Sequence, residues 1–154
     1  MVMYWLRVFV ISFEFLIVVI SFFLANVYGE TVSAFVKEIQ INDEALKWLM
    51  LLPAGLLGWS FMQTQSLLFP DGEFSKILHK WPSYWKLKIH CVVGLIYAVL
   101  FLIVGLLPLF TKDGMNTGAG FIMFFCGVIG ESIVALSIYS AQISVKEINM
   151  LNES

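Results

Sequence analysis

Long apolar stretches alternate along this chain with short polar segments. Four of them cover about residues 3–28, 45–68, 84–107 and 117–144. Each contains the roughly 20 mainly apolar residues that an α-helix needs to cross the hydrocarbon core of a bilayer. The pattern therefore predicts an all-α integral membrane protein, a single domain over residues 1–154 with four transmembrane helices.

Two shorter amphipathic segments lie between the apolar stretches. Residues 31–41 and 73–81 both place apolar side chains at positions i, i+3, i+4 and i+7, with polar side chains opposite. This spacing predicts short interfacial helices, and an extension of the first span is the alternative for residues 31–41. Gly29 is the predicted end of the first span. Pro53 predicts a kink in the second, which membrane helices tolerate.

The composition agrees with a chain surrounded by lipid. It is 60% hydrophobic and 13% charged, whereas soluble domains carry about 45–50% apolar and about 25% charged residues. The formal net charge of -2 supplies no basic field that would attract nucleic acid directly. Cys91 and Cys126 lie inside apolar stretches, where we expect small buried hydrophobic residues and not a disulfide framework.

The distribution of basic residues predicts the orientation in the membrane. The N-terminal apolar run is longer than the roughly 7–15 residues of a signal-peptide core, so we interpret it as a retained span. With four crossings, both termini and the second loop share one side. That side carries six of the nine basic residues, and cytoplasmic loops are the ones enriched in Lys and Arg. Both termini are therefore predicted in the cytoplasm, with the chain in the bacterial inner membrane.

Two carboxylates lie near the middle of predicted spans. Glu14 belongs to the first and Glu131 to the fourth, and a charged side chain at that depth costs about 2.5–3.5 kcal/mol on insertion scales. Arg7 and Ser21 precede and follow Glu14 at seven-residue steps, so all three share one helix face. One hypothesis is an ion or proton path along Glu14 and Glu131. The alternative is a pair of protonated carboxyls that hydrogen-bond across helices and fix the assembly.

Small residues beside these carboxylates predict close contacts between helices. In the fourth span they lie within four residues of Glu131 or follow it at helical spacing, and in the second they are four residues apart. The predicted packing or homo-oligomer positions are Gly127, Gly130, Ala135, Ser137, Ala141, Ala54 and Gly58.

The second loop, residues 69–88, combines basic and aromatic side chains. Such a segment anchors a protein at the membrane surface, and it also suits anionic lipid head groups or a cytoplasmic protein partner. The predicted docking residues are Lys76, Lys80, Trp81, Trp85, Lys86 and Lys88.

The sequence contains none of the common catalytic motifs for hydrolysis, phosphate binding or paired-cysteine redox chemistry. His79, His90 and Cys91 do not have the spacing of a zinc site. We therefore predict no enzyme activity, no cofactor and no bound metal.

Two functions remain open. The first is a non-enzymatic, oligomeric membrane subunit that anchors, senses or docks a cytoplasmic partner. In size and topology the chain resembles small membrane subunits of bacterial defence and immunity systems, such as the membrane component of the Kiwa anti-phage system and the colicin-type immunity proteins. That resemblance implies a role in anti-phage defence or toxin immunity. The second function is a small channel or proton-coupled transporter that uses Glu14 and Glu131.

Overall fold

The computed structural model describes residues 12–39, 43–69, 84–111 and 114–153, which form α-helices and their connecting turns. This part of the chain confirms the predicted all-helical class. The helices are α1 (Phe13–Ile39), α2 (Asp43–Leu68), α3 (Tyr84–Phe110) and α4 (Gly118–Glu153), with a 3₁₀ turn at Gly114–Asn116 before α4.

The four helices form an up-and-down bundle in which α4 packs against all three others. Gly127 of α4 lies against Gly105 of α3, and Gly118 lies against Ser33 near the end of α1, so α4 is antiparallel to both. The Tyr84 hydroxyl at the start of α3 donates to the Leu68 carbonyl at the end of α2, at 3.0 Å. We call this end of the bundle the Leu68 end, and the opposite one the Gly118 end.

Three of the helices are long and apolar enough to cross a membrane: Phe13–Glu38, Tyr84–Phe110 and Gly118–Glu147. Many large apolar side chains on the outside of the bundle are exposed, which suits a helical membrane protein whose surface is covered by lipid. Among the most exposed are Phe13, Phe23, Met62, Phe110 and Leu136. The second predicted span, now α2, is not among the three.

The first helix does not end at Gly29, where the sequence pattern places the end of the first span. α1 continues to Ile39, so residues 31–39 extend it and do not form a separate interfacial helix. The reason is a contact with α4. Gly29 is buried against that helix, and a Cβ added at Gly29 would lie 3.4 Å from the Cβ of Ala119. Residues 3–11, 40–41 and 73–81 of the predicted elements lie outside the described residues.

The other helices differ from their predicted bounds mainly at the ends. α2 continues through Pro53, which is buried, α3 continues through Pro108 to Phe110, and α4 extends past residue 144. The largest fully buried apolar side chains are Tyr97 and Phe101 of α3 and Phe124 of α4, followed by Leu67 of α2 and Ile138 of α4.

Candidate functional site

Glu131 is the most unusual side chain in the described part of the bundle. It lies near the middle of the Gly118–Glu147 stretch of α4 and is 1% exposed. Both of its carboxyl oxygens are buried and have no hydrogen-bond partner within the described ranges. Because an unpaired polar group in an apolar interior is costly, this carboxyl needs an explanation that packing alone does not give.

Glycines bring α3 and α4 into close contact beside Glu131. An added Cβ at Gly127 would be 2.9 Å from both the Gly105 Cα and the Phe101 carbonyl oxygen. At Gly130, next to Glu131 in the chain, a Cβ would overlap the Phe101 ring. The α3–α4 contact therefore leaves no room for a side chain at either glycine.

Aromatic rings continue this apolar packing from Glu131 toward the Gly118 end. Phe124 is buried, and its ring meets that of Phe125 edge-on at 5.6 Å between centroids. The Phe125 ring lies 4.6 Å from that of Phe121. Phe125 is 44% exposed and Phe121 is half-buried, so Phe124 is the one of these three rings that is buried in the interior.

The inner face of α2 has a different character. Ser60 is 1% and Thr64 2% exposed, and neither hydroxyl has a hydrogen-bond partner in the described part of the chain. Residues four apart lie on one helix face, and α2 packs against both α3 and α4. Two further unpaired polar groups therefore lie in the same core as Glu131.

Polar side chains also pair between helices closer to the Leu68 end. The Gln142 Nε2 of α4 donates to the Ser66 hydroxyl of α2 at 3.0 Å. The His90 Nε2 of α3 and the Ser137 hydroxyl of α4 are hydrogen-bonded at 3.0 Å. With the Tyr84–Leu68 bond, these contacts join the helices at the Leu68 end, where the Gln142–Ser66 bond is exposed and the interior is apolar, with Ile89, Ile138 and Val145 buried.

Glu14 does not form a pair with Glu131. Glu14 is half-buried and lies within electrostatic range of Tyr97, whose side chain shares a hydrogen bond with that of Ser12. Ser21 is buried and donates to the carbonyl of Val18 in its own helix, at 2.7 Å. No hydrogen bond in the described residues joins the two carboxyls, and Arg7 lies outside those residues.

The predicted small-residue positions fall into two groups. In α4, Gly127, Gly130 and Ala135 are buried and Ala141 is half-buried, so they pack within the chain. In α2, Ala54 and Gly58 are exposed. An added Cβ at Gly58, or at its neighbour Gly55, would have nothing within 4 Å.

Part of the predicted docking segment is visible at the start of α3. Trp85 is exposed, and the Lys86 Nζ lies 5.8 Å from the centroid of its ring. The Lys88 Nζ lies 5.1 Å from the centre of the Tyr84 ring. Both distances are within the roughly 6 Å range of cation–π contacts. Lys76, Lys80 and Trp81 lie outside the described residues.

Sequence reasoning did not single out Ser60, Thr64 or Gly105. The four-residue spacing of Ser60 and Thr64 on a helix of mixed polarity was a usable signal for an inner polar face. Gly105 carried no such signal, because its importance depends on which glycine of another helix it meets.

No protein-family model matches the chain, and no curated protein or solved structure matches it. The fold, the exposed and buried faces of its helices and the surroundings of Glu131 are therefore the basis for proposing a function.

Proposed function

We propose that this chain is a non-enzymatic, oligomeric subunit of the bacterial inner membrane that crosses the bilayer four times with both termini in the cytoplasm. It anchors, senses or docks a cytoplasmic partner, as the membrane component of an anti-phage defence or toxin-immunity system. The single observation that carries this proposal is the outer face of α2.

α2 packs on the bundle with one face and leaves the other open. Ala54, Gly55 and Gly58 are exposed on this helix, and an added Cβ at either glycine would meet nothing. Small residues let the backbones of membrane helices approach closely. The face that carries these small residues is open along α2 (Asp43–Leu68), so the backbone of another helix could approach it closely. We propose a second copy of the chain as that neighbour.

Native mass spectrometry of the detergent-extracted protein tests the assembly. We expect a defined oligomer in the wild type, and we expect Gly55→Leu with Gly58→Leu to dissociate it, because the backbones can no longer approach. Ala34→Leu adds the same kind of side chain at an exposed position of α1 and serves as the matched control. A monomeric wild type contradicts the proposal.

The proposed docking side is the Leu68 end, which carries the basic loop. Lys86, Lys88 and Trp85 are exposed there. Reversing the charge with Lys86→Glu and Lys88→Glu is expected to abolish co-purification of a cytoplasmic partner encoded next to this gene. Lys37→Glu, at an exposed position near the other end of the bundle, is expected to leave it intact. Equal loss in both variants contradicts a docking site at the Leu68 end.

Glu131 supports a second candidate, a small channel or proton-coupled transporter. Ionisable residues inside a membrane commonly mark ion or proton pathways, and among the described residues this carboxyl has no hydrogen-bond partner that would explain it as a structural group. Proton flux into liposomes containing the protein is the test. We expect Glu131→Gln to remove the flux and Glu14→Gln to reduce it. An unchanged flux in both variants contradicts this candidate.

A further inference from the structure

A shallow groove runs along the outer face of α3. Its volume is about 330 Å³ and its lining is almost wholly apolar. The lining side chains in the described part of the chain all belong to α3: Val92, Leu95, Ile96, Val99 and Leu100. They recur at positions i, i+3, i+4, i+7 and i+8, which share one face of a helix. Because Ile96, Val99 and Leu100 are exposed, this face is open to the surroundings of the bundle.

A lysine lies at one end of the groove. Lys88 precedes Val92 by four residues, so its side chain leaves the same face of the helix. The Lys88 Nζ lies 5.1 Å from the centre of the Tyr84 ring at the start of α3, so the cation lies toward the Leu68 end and away from the apolar lining. α3 (Tyr84–Phe110) contains no Asp or Glu that would neutralise this charge. The cation and the groove therefore follow one another along a single face.

Trp85 marks the level of this cation in the membrane. It precedes Lys88 by three residues, so it shares the Lys88 face of the helix, and its side chain is exposed. Tryptophan is enriched where a membrane protein passes from the hydrocarbon to the polar head groups. The second lysine of α3, Lys86, is two residues from Lys88, and residues two apart do not face each other on a helix.

Distances along α3 match one leaflet of a bilayer. At 1.5 Å per residue, Val92 lies about 6 Å beyond Lys88, and the groove from Val92 to Leu100 covers about 12 Å. One leaflet supplies about half of the roughly 30 Å hydrocarbon core. A phospholipid presents the same sequence of parts, which are a charged head group, a short glycerol link and an apolar chain. A soluble peptide does not, because the groove lies within the depth of the hydrocarbon.

We propose that Lys88 and the groove from Val92 to Leu100 bind one anionic phospholipid. The negatively charged head group pairs with the Lys88 Nζ, and one acyl chain lies in the groove. This inference is independent of both candidate functions, because it requires no second copy, no cytoplasmic partner and no flux. Lys88 also belongs to the proposed docking side, but lipid binding is measured on the purified protein without that partner, so either proposal can fail alone.

Native mass spectrometry of the purified full chain tests the site. The protein is titrated in detergent with dioleoylphosphatidylglycerol or dioleoylphosphatidylcholine, which carry the same acyl chains on an anionic and a zwitterionic head group. We expect one phosphatidylglycerol to bind per chain, about fivefold more tightly than phosphatidylcholine, which is the contribution of one lysine near anionic lipid. Lys88→Gln is expected to remove this preference and Lys88→Arg to keep it.

Lys86→Gln is the matched control for the charge, because it removes a lysine from the same end of α3 but from a different face. It is expected to keep the preference. A wild type without the preference, or an equal loss in Lys86→Gln and Lys88→Gln, overturns the proposal, since the attraction would then not belong to one site.

A second pair of variants tests the groove. Val99→Trp fills it with a ring, so we expect weaker binding of both lipids. Ile103→Trp places the same ring at an exposed position of α3 outside the groove lining and is expected to bind both lipids as the wild type does. Equal binding by Val99→Trp and Ile103→Trp contradicts an acyl chain in the groove.

Discussion

The contacts that α3 and α2 make with α4 differ in the side chains that they bury. Between α3 and α4, Gly105 and Gly127 bring the two backbones together and the Phe101 ring covers Gly130, so the contact is apolar and full. The contact of α2 with the bundle instead buries two unpaired hydroxyls, while its outer face leaves Gly55 and Gly58 open. The α3–α4 contact is closely packed, whereas the contact of α2 buries hydroxyl groups that add nothing to the packing.

This contrast shows that residue type alone does not define a role in this molecule. Gly127 and Gly58 are both glycines inside long helices, yet of the two only Gly127 is required by a neighbouring backbone. Buried polar groups without a partner are few in native structures, and each one calls for an explanation. The polar groups of α2 and α4 are therefore the candidate functional region, and the α3–α4 contact packs beside it.

The largest effect is expected from filling the α3–α4 contact. Gly127→Leu should destabilise the protein by about 3 kcal/mol or more, because overpacking a well-filled core costs about 1–3 kcal/mol and backbone cannot move aside as a flexible side chain can. Thermal unfolding in detergent measures the effect. Gly58→Leu in α2 is the control, with both variants measured at a dilution where the protein is monomeric, since its side chain would meet no atom of its own chain. Similar losses in the two variants would remove the distinction between the contacts.

A change of opposite sign is expected at Glu131. Replacing an unsatisfied buried polar group by an apolar one of similar shape recovers about 1–3 kcal/mol of desolvation. Glu131→Met should therefore raise the unfolding temperature in detergent, while Glu131→Gln, which stays polar and unpaired, should remain near the wild type. A clear loss of stability in Glu131→Met would mean that the carboxyl has a stabilising partner in solution.

The sequence predicted the elements of this fold well, because hydrophobic length and the positions of Pro and Gly are local properties. The predicted starts of α2 and α3 fall within two residues of the observed ones. The prediction was wrong at Gly29. The glycine indicated a helix end, but the helix continues there because Gly29 packs against Ala119 of a helix distant in the sequence.

The candidate site could be predicted only in part. Glu131 was identifiable because a carboxylate inside an apolar run is conspicuous in any sequence. The spacing of Ser60 and Thr64 could indicate an inner polar face but not that their hydroxyls stay unpaired, since serine and threonine in membrane helices commonly bond to their own backbone, as Ser132 does here. Whether such a hydroxyl stays unpaired depends on side-chain geometry that no sequence pattern encodes.

A smaller effect is expected where α1 meets the start of α4. The Ser33 hydroxyl donates to the Gly29 carbonyl at 2.7 Å and accepts the Gly118 N–H at 2.7 Å. Ser33→Ala leaves that N–H without its partner and should cost about 1 kcal/mol, measured by thermal unfolding. Ser144→Ala is the control, because the exposed Ser144 hydroxyl bonds only within its own helix. Equal effects in the two variants would show that the link between α1 and α4 adds nothing to stability.

The smallest effect on stability is expected at the open face of α2. Replacing glycine by alanine inside a helix stabilises it by about 0.5–1 kcal/mol, because alanine loses less backbone freedom on folding. Gly58→Ala should therefore stabilise the separated monomer slightly, since the new Cβ meets no atom of its own chain.

If a second copy packs on this face, the same Cβ separates the two backbones and the oligomer dissociates at a higher protein concentration than the wild type. Thermal unfolding of the monomer and native mass spectrometry across a dilution series measure the two effects separately. A more stable monomer with an unchanged oligomer would place the assembly contact elsewhere, and leave the face of Gly55 and Gly58 to lipid.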